Sequence, residues 1–402
     1  MARALGPGGF TILILGVASF LTDVSSEMTL TVLPIFLTGT LGVSVATVGV
    51  IEGVGESTAA LARLFAGRLS DRTPRRLPIV IAGYGLSAVT KPLFALAGGA
   101  GLAGLLRFSD RLGKGIRTAP RDALIADVAR EGRRGLAFGV HRAADTAGAM
   151  TGVLAAALVL TVLGAGDSLT RGEFQRLVLI AGVPALLGVA LLTRIREEPR
   201  TIEEAQPGPE RAVLTLPESP AERRYLLVVL AFALGNSSDA FLVLRMVDVG
   251  MGVVGVLLVL AGRNLVEALL AIPAGALSDI VGRRRLLLAG YLVYAVIYGS
   301  LAFVDSMPAV VLLILAYGAY YGATEGMSRA FVADLSPVEG RGGSYGWFHL
   351  ATAITALPAS VVAGALWTAY GPAAAFAFGG ACALLAAAVL TTVAPPRQAV
   401  PS

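Results

Sequence analysis

The sequence predicts an all-α integral membrane protein of twelve transmembrane helices, arranged as two pseudo-symmetric six-helix bundles. Three observations carry that prediction: an apolar composition, apolar runs of spanning length, and a repeat relating the two halves of the chain. Of 402 residues, 55% are hydrophobic and 15% charged, against about 25% charged in a soluble protein; the mean hydropathy is +0.76. Such a chain must satisfy its backbone polar groups internally, which a helix does unaided in lipid. Runs such as LLAGYLVYAVIYGSLAF (287–303) lack the apolar–polar alternation of barrel strands. One span takes about 20 apolar residues, so the length holds about twelve with short loops.

In chain order the spans are expected at 10–37, 45–66, 77–98, 100–119, 136–164, 177–194, 225–246, 252–274, 286–304, 308–331, 345–369 and 373–394. Their Gly and Ala content suits close helix packing in lipid. The first runs past Asp23 to about Leu37 with no small-residue cleavage site, and reads as a retained span and not a signal peptide. Arg-rich loops (68–76, 121–135, 193–224, 282–285) alternate with turns that hold no Lys or Arg (38–44, 98–100, 247–251, 305–307, 370–373). Only 166–176 breaks the alternation. Basic residues favour the cytoplasmic side, so the chain is expected in the prokaryotic cytoplasmic membrane with both termini in the cytoplasm.

The net charge of +5 is therefore a topological signal, and nucleic acid is not an expected partner. Cys382 alone offers no disulfide within the chain, and with two distant histidines, His141 and His349, there is no metal signature. No cofactor is expected. The Pro- and Glu-rich segment 196–224 reads as a cytoplasmic linker between an N-terminal bundle (1–195) and a C-terminal bundle (225–402).

These halves repeat. GRLSDRTPRR from Gly67 matches GALSDIVGRRR from Gly275, so Asp71 corresponds to Asp279; RDALIAD (121–127) matches SRAFVAD (328–334); TDVSS (22–26) matches GNSSD (235–239). Parallel six-helix repeats are the architecture of secondary transporters with a site at the midplane.

The loop Gly67, Leu69, Ser70, Asp71, Arg72, Arg75 and Arg76 resembles the major facilitator superfamily pattern Gly-x-Leu-[small]-Asp-Arg-x-Gly-Arg-[Lys/Arg]. It departs from it at Pro74, where glycine is usual; the second copy keeps Gly282 but has Ile280 in place of the arginine. The resemblance covers essentially the whole chain. It implies a cytoplasmic gate built on Gly67, Asp71, Arg72, Arg75 and Arg76, with Arg121 and Asp279 at the same rim. For an antiporter motif of the family, Arg-x-x-Gln-Gly-x-Gly-Ala, the best fit is Arg111, Lys114, Gly115, Arg117 and Ala119, with Lys114 in place of the glutamine and Arg117 in place of the second glycine.

An ionisable residue inside a span is costly and marks a functional candidate. Asp23 and Glu27 lie four apart on span one, and Glu52 and Glu56 four apart on span two. Arg107, Asp110, Arg111 and Lys114 follow i, i+3, i+4, i+7 on span four, and His141, Arg142 and Asp145 cluster on span five. Each set forms one stripe, which must turn away from lipid. Acids and bases nearly balance in this half, so ion pairing and coupling compete as explanations. Lys91 and Lys114 are the two lysines among 32 basic residues; lysine, unlike arginine, can cycle its charge. In the second half Tyr317, Tyr320 and Tyr321 stand 207 residues beyond Asp110 to Lys114, and Glu325 follows on the same span.

The expected function is alternating-access transport of a small organic solute, coupled to protons, by a monomer in the lipid bilayer. Efflux of a drug or metabolite is the leading expectation, uptake of an organic anion the alternative. An enzyme or sensor is disfavoured: no His-Glu-x-x-His, Gly-x-Ser-x-Gly or cysteine pair is present. Gly113–Lys114–Gly115 is no phosphate loop either, since Phe108 stands where the first Walker glycine belongs.

Overall fold

The computed structural model describes residues 8–129, 134–199, 219–336 and 341–393. Twelve long helices are present there. The first bundle is α1 (Gly9–Leu30), α2 (Val45–Asp71), α3 (Leu77–Leu93), α4 (Ala100–Val128), α5 (Arg134–Val162) and α6 (Arg171–Leu192). The second is α7 (Pro220–Gly235, resuming as Ala240–Asp248), α8 (Val253–Val281), α9 (Arg283–Phe303), α10 (Met307–Leu335), α11 (Arg341–Tyr370) and α12 (Pro372–Thr391). Eleven stretches are apolar enough to cross a bilayer; α4 falls outside that set because Arg107, Asp110, Arg111, Lys114 and Arg117 crowd it. By contact the chain forms two compact units, Met1–Gly208 with Gly250–Ala261, and Pro209–Val249 with Gly262–Ser402.

Several helix ends differ from those expected. α1 breaks after Leu30 and continues as a short helix (Leu33–Ile35) and a π turn (Phe36–Thr40), because Pro34 has no N–H to offer the preceding turn. α4 runs through Pro120 to Val128, so much of the expected loop at 121–135 is helical. At 1.5 Å per residue its 29 residues reach about 43 Å, beyond a hydrocarbon core of about 30 Å. α6 starts six residues early, held by a reciprocal capping box between Thr170 and Glu173. α7 breaks at 236–239, where Ser238 Oγ accepts from the Ala240 N–H. The matching TDVSS segment stays helical inside α1, so similar sequence here takes different backbone. Asn and Ser compete for backbone hydrogen bonds and favour such breaks.

The two copies of the Gly67 and Gly275 loop also differ in build. Gly282 alone joins α8 to α9 at φ +94°, a conformation that suits glycine. Pro74 stands in the first copy, and there the connection takes five residues, 72–76.

In the first unit α1 packs on α5 and α6, and α4 packs on α2 and α3. Small residues make the α4 contacts possible. A Cβ on Gly113 would lie 2.7 Å from the Gly83 carbonyl oxygen and 2.7 Å from Ser87 Oγ on α3; one on Gly115 would lie 2.6 Å from the Ala59 carbonyl oxygen on α2. Backbone on both sides leaves no room to yield. Gly115→Val is expected to destabilise the protein by about 1–3 kcal/mol, the usual cost of overpacking, read as a lowered midpoint in thermal unfolding of the detergent-solubilised protein. Gly139, which has no atom within 4 Å of an added Cβ, should tolerate alanine.

Candidate functional site

The charged stripes of the first unit meet across α2, α3 and α4. Lys91 on α3 is fully buried and ion-pairs with Asp110 on α4, itself 3% exposed. Arg107 donates to Glu52 on α2 at 2.5 Å and lies 3.9 Å from Glu56 and 4.0 Å from Asp110. Arg111 pairs with Glu56 at 2.7 Å. The α4 stripe thus divides: Asp110 faces α3, and Arg107 and Arg111 face α2. Arg117, seven residues past Asp110 and like it turned toward α3, is also buried; it donates to Ser87 Oγ at 2.9 Å and lies 4.6 Å above the Tyr84 ring. A buried charge without a partner is strongly unfavourable, so this network holds three helices in one register.

The remaining candidates sit differently. Lys114 is exposed and has no ion-pair partner among the described residues. Asp23, half-buried on α1, has no hydrogen bond or ion pair among the described residues; the charges acting on it most strongly are Asp145 and Lys114. Glu27 accepts from Thr31 Oγ1 at 2.8 Å. On α5, Asp145 lies 3.4 Å from Nδ1 of buried His141, whose Nε2 has no hydrogen-bond partner among the described residues. Arg142 is exposed.

Some of the residues expected at the gate form a second cluster at the Arg-rich end of this unit. Arg76 bridges Asp71 at 3.0 Å and Asp127 at 3.2 Å, joining the ends of α2, α3 and α4. Glu197, beyond α6, accepts the backbone N–H groups of Arg76 and Leu77, both at 2.7 Å. A carboxylate at a helix N-terminus also meets the helix dipole favourably. Gly67 lets α2 approach Ala119 of α4. Arg72 and Arg75 are exposed and unpaired among the described residues. Arg121 turns away from Asp71: it pairs with Asp122 at 2.9 Å and reaches Ser19 on α1 and Tyr84 on α3. Arg76→Ala removes both bridges and is expected to cost about 1–2 kcal/mol, since its partners Asp71 and Asp127 remain half-exposed and can hydrate. Thermal unfolding checks this.

The second unit keeps a bridge to the counterpart of Asp127, made by the counterpart of Arg75 rather than of Arg76, and replaces the buried charges of α3 and α4. Arg283 on α9 pairs with Asp334 on α10, where Asp334 matches Asp127. Tyr317, in the place of Asp110, is buried and donates to Asp239 at 3.2 Å. Tyr298, 207 residues beyond Lys91, lies 6.1 Å from the Tyr317 ring. Arg263 pairs with Asp239 at 2.8 Å and lies 5.0 Å and 5.4 Å over the rings of Tyr317 and Tyr321. Here an aromatic cage around one ion pair stands where the first unit has its charge network. The Arg263–Asp239 pair was not legible as a site; the one sequence signal was two charges within apolar spans. The side chains of Glu325 and Asp279 lie outside the described residues.

Twelve long helices with intramembrane charge define an integral multi-pass membrane protein, and the family model described as Major Facilitator Superfamily matches residues 15–262 and 225–402. The chain belongs to the Major Facilitator Superfamily of transporters. A Methanocaldococcus jannaschii protein described as an uncharacterized MFS-type transporter is 32% identical over 392 residues, covering 94% of each chain. An uncharacterized Mycobacterium tuberculosis protein is 32% identical over 345 residues, covering 84% of this chain and 81% of its own. In fold the chain is similar to a variant of the nucleoside transporter NupG (TM-score 0.78, 12% identity, 95% and 99% of the two chains). It is also similar to a POT family transporter in complex with 5-aminolevulinic acid (0.77, 13%, 96% and 97%).

Proposed function

We propose that the protein exports a small cationic or amphipathic organic solute in exchange for protons, by alternating access, as a monomer with its Arg-rich face and both termini in the cytoplasm. The membrane is the prokaryotic cytoplasmic membrane. The observation that carries this reading is the division of the first unit's charges into two sets. Lys91, Arg107, Arg111, Glu52, Glu56 and Asp110 are tied to one another, and a change of charge there breaks a pair. Asp23 and Glu27 are tied to no base among the described residues. A carboxylate of that kind can gain and lose a proton, or meet a cationic solute, without dismantling the bundle.

α1 carries two half-buried acids, Asp23 and Glu27, and no base. That balance favours a cation. The cage of Tyr317 and Tyr321 would supply aromatic faces for the apolar part of such a solute. The gate role falls to the Arg76 clamp, with Asp71 and Arg72 at its edge. Uptake of an organic anion is the second reading, and the exposure of Lys114 is the observation in its favour.

Flux in proteoliposomes with and without an imposed pH gradient tests the proposal, using a panel of cationic, neutral and anionic solutes. Gradient-driven movement of cations against the proton flow is expected. Movement of anions with the protons would establish the second reading, and flux indifferent to the gradient would sink proton coupling.

A further inference from the structure

The ion pair at the aromatic cage of the second unit is lopsided. Arg263 on α8 is its buried end, with a side chain 10% exposed, and Asp239 at the break in α7 is its open end, 47% exposed. Asp239 accepts from Arg263 Nη1 through Oδ2 and from the Tyr317 hydroxyl through Oδ1. A carboxylate offers about four lone-pair positions, so two remain, and the exposed edge leaves room to reach them. Arg263 is held from behind. Its Nη2 lies 3.8 Å from Glu267 Oε2, one turn further along α8. A Cβ on Gly318 would lie 2.5 Å from the Arg263 carbonyl oxygen, so α10 packs its backbone against this turn. An arginine fixed between two carboxylates stays paired when Asp239 takes a second donor. The depth of the pair follows from the helix ends. Arg263 and Tyr317 each stand ten residues past the starts of their helices, Val253 and Met307, and Asp239 nine before the end of α7 at Asp248. At 1.5 Å per residue these are depths of about 14–15 Å, half of a hydrocarbon core of about 30 Å. An ionised group at that depth does not face lipid, so the open edge of Asp239 meets water or a solute.

We infer that Asp239 is the recognition point for the cationic nitrogen of the solute, and that the solute is an ammonium bearing N–H, with an apolar or aromatic body against Tyr321. The inference rests on the export of a cation proposed above and narrows its class. The exposed end of the pair is its negative end. A cation is attracted to it, whereas an anion must displace Asp239 to reach Arg263. The open positions on Asp239 are hydrogen-bond acceptors, and a protonated amine fills them with charge-assisted N–H donors, roughly twice as strong as neutral ones. A quaternary ammonium has no donor; it strips water from the carboxylate and returns no hydrogen bond. Tyr321 is half-buried beside the pair, with Arg263 over its ring, and aromatic rings hold both a cation and the apolar group attached to it.

The test uses the full-length purified protein in detergent and probes of one shape: 2-phenylethylamine, its N,N,N-trimethyl derivative, 2-phenylethanol and 3-phenylpropionate. Isothermal titration calorimetry at neutral pH reads binding, and thermal unfolding reads whether each variant is folded. The amine should bind roughly tenfold tighter than its trimethyl derivative and than the alcohol, the worth of a hydrogen bond to a charged group. Asp239→Asn should remove that preference, and Asp239→Glu should keep it. Tyr321→Leu should weaken both ammonium forms alike, by about threefold. Asp305→Asn, which removes an exposed carboxylate elsewhere in the unit, should leave the preference intact. The comparison of the two ammonium forms on the unaltered protein needs no variant, and decides even where Asp239→Asn does not fold. Equal binding of the two forms, no binding of the amine, or a preference that survives Asp239→Asn would overturn the site and leave export of a cation standing. Tighter binding of 3-phenylpropionate than of the amine would sink the cation reading itself.

Discussion

Lys91→Ala is expected to destabilise the protein by about 3–5 kcal/mol, the cost of stranding one member of a buried ion pair. Lys91 is fully buried, and Asp110 is 3% exposed. Water cannot reach the carboxylate that the substitution leaves behind. Arg107 stands 4.0 Å from Asp110 but is committed to Glu52, and Arg111 is committed to Glu56. Only Arg107 Nη1, 4.0 Å away and without a hydrogen-bond partner among the described residues, could take over in part while Nη2 stays on Glu52, which sets the lower end of that range. Removing both charges is a different matter, because apolar residues of similar volume often replace a buried pair at little cost. Lys91→Met with Asp110→Leu should therefore recover most of the lost stability. Thermal unfolding of the three proteins in detergent measures it. The double variant also separates structure from coupling: a register-holding pair predicts that gradient-driven transport survives in it. A stably folded double variant without transport would place Lys91 and Asp110 in the coupling machinery.

The sequence shows the number and order of the helices because lipid imposes one requirement, a continuous apolar run, that is written locally. It shows helix ends less well. α4 outlasts its apolar run because a helix that leaves the membrane can continue on an amphipathic pattern, and Leu124 and Ile125 still bury against the first unit's core. α6 begins among polar residues, at Thr170-x-x-Glu173, a capping signature that hydropathy passes over. Charges are legible as stripes but not as pairs. The spacing of Arg107, Asp110, Arg111 and Lys114 assigns them one face of α4. Which of them meets Lys91 and which meets Glu52 depends on the rotation of α3 and α2 about their axes, which no residue spacing encodes. The two lysines illustrate this. They look alike in sequence, yet Lys91 is sealed in a pair and Lys114 is exposed. In the second half, Tyr317 was legible through the repeat as the counterpart of Asp110, but its donation to Asp239 depends on the break in α7, where the first half has unbroken helix.

Asp23→Asn is expected to lower proton-gradient-driven transport at least tenfold, about 1.4 kcal/mol in driving or activation free energy, with little loss of stability. The two expectations come from the same geometry. Asp23 makes no hydrogen bond or ion pair among the described residues, so asparagine, nearly equal in shape, removes no contact that the bundle uses. What it removes is a proton-binding group on a half-buried face of α1, within the electrostatic reach of Asp145 and Lys114. A coupled carrier needs a group whose charge differs between its two loaded states, because a gradient acts only through a ligand that binds one state differently from the other. A carrier deprived of that group can still exchange solute for solute when no gradient is imposed. Solute counterflow should therefore persist in Asp23→Asn while accumulation against a gradient fails. Glu27→Gln, whose side chain accepts from Thr31 Oγ1, provides the comparison on the same helix. If Asp23→Asn loses counterflow as well as accumulation, the carboxylate acts in solute binding rather than in coupling. If it loses neither, the coupling group lies elsewhere, and the Asp145–His141 pair on α5, with an Nε2 that has no hydrogen-bond partner among the described residues, becomes the next carboxylate to neutralise.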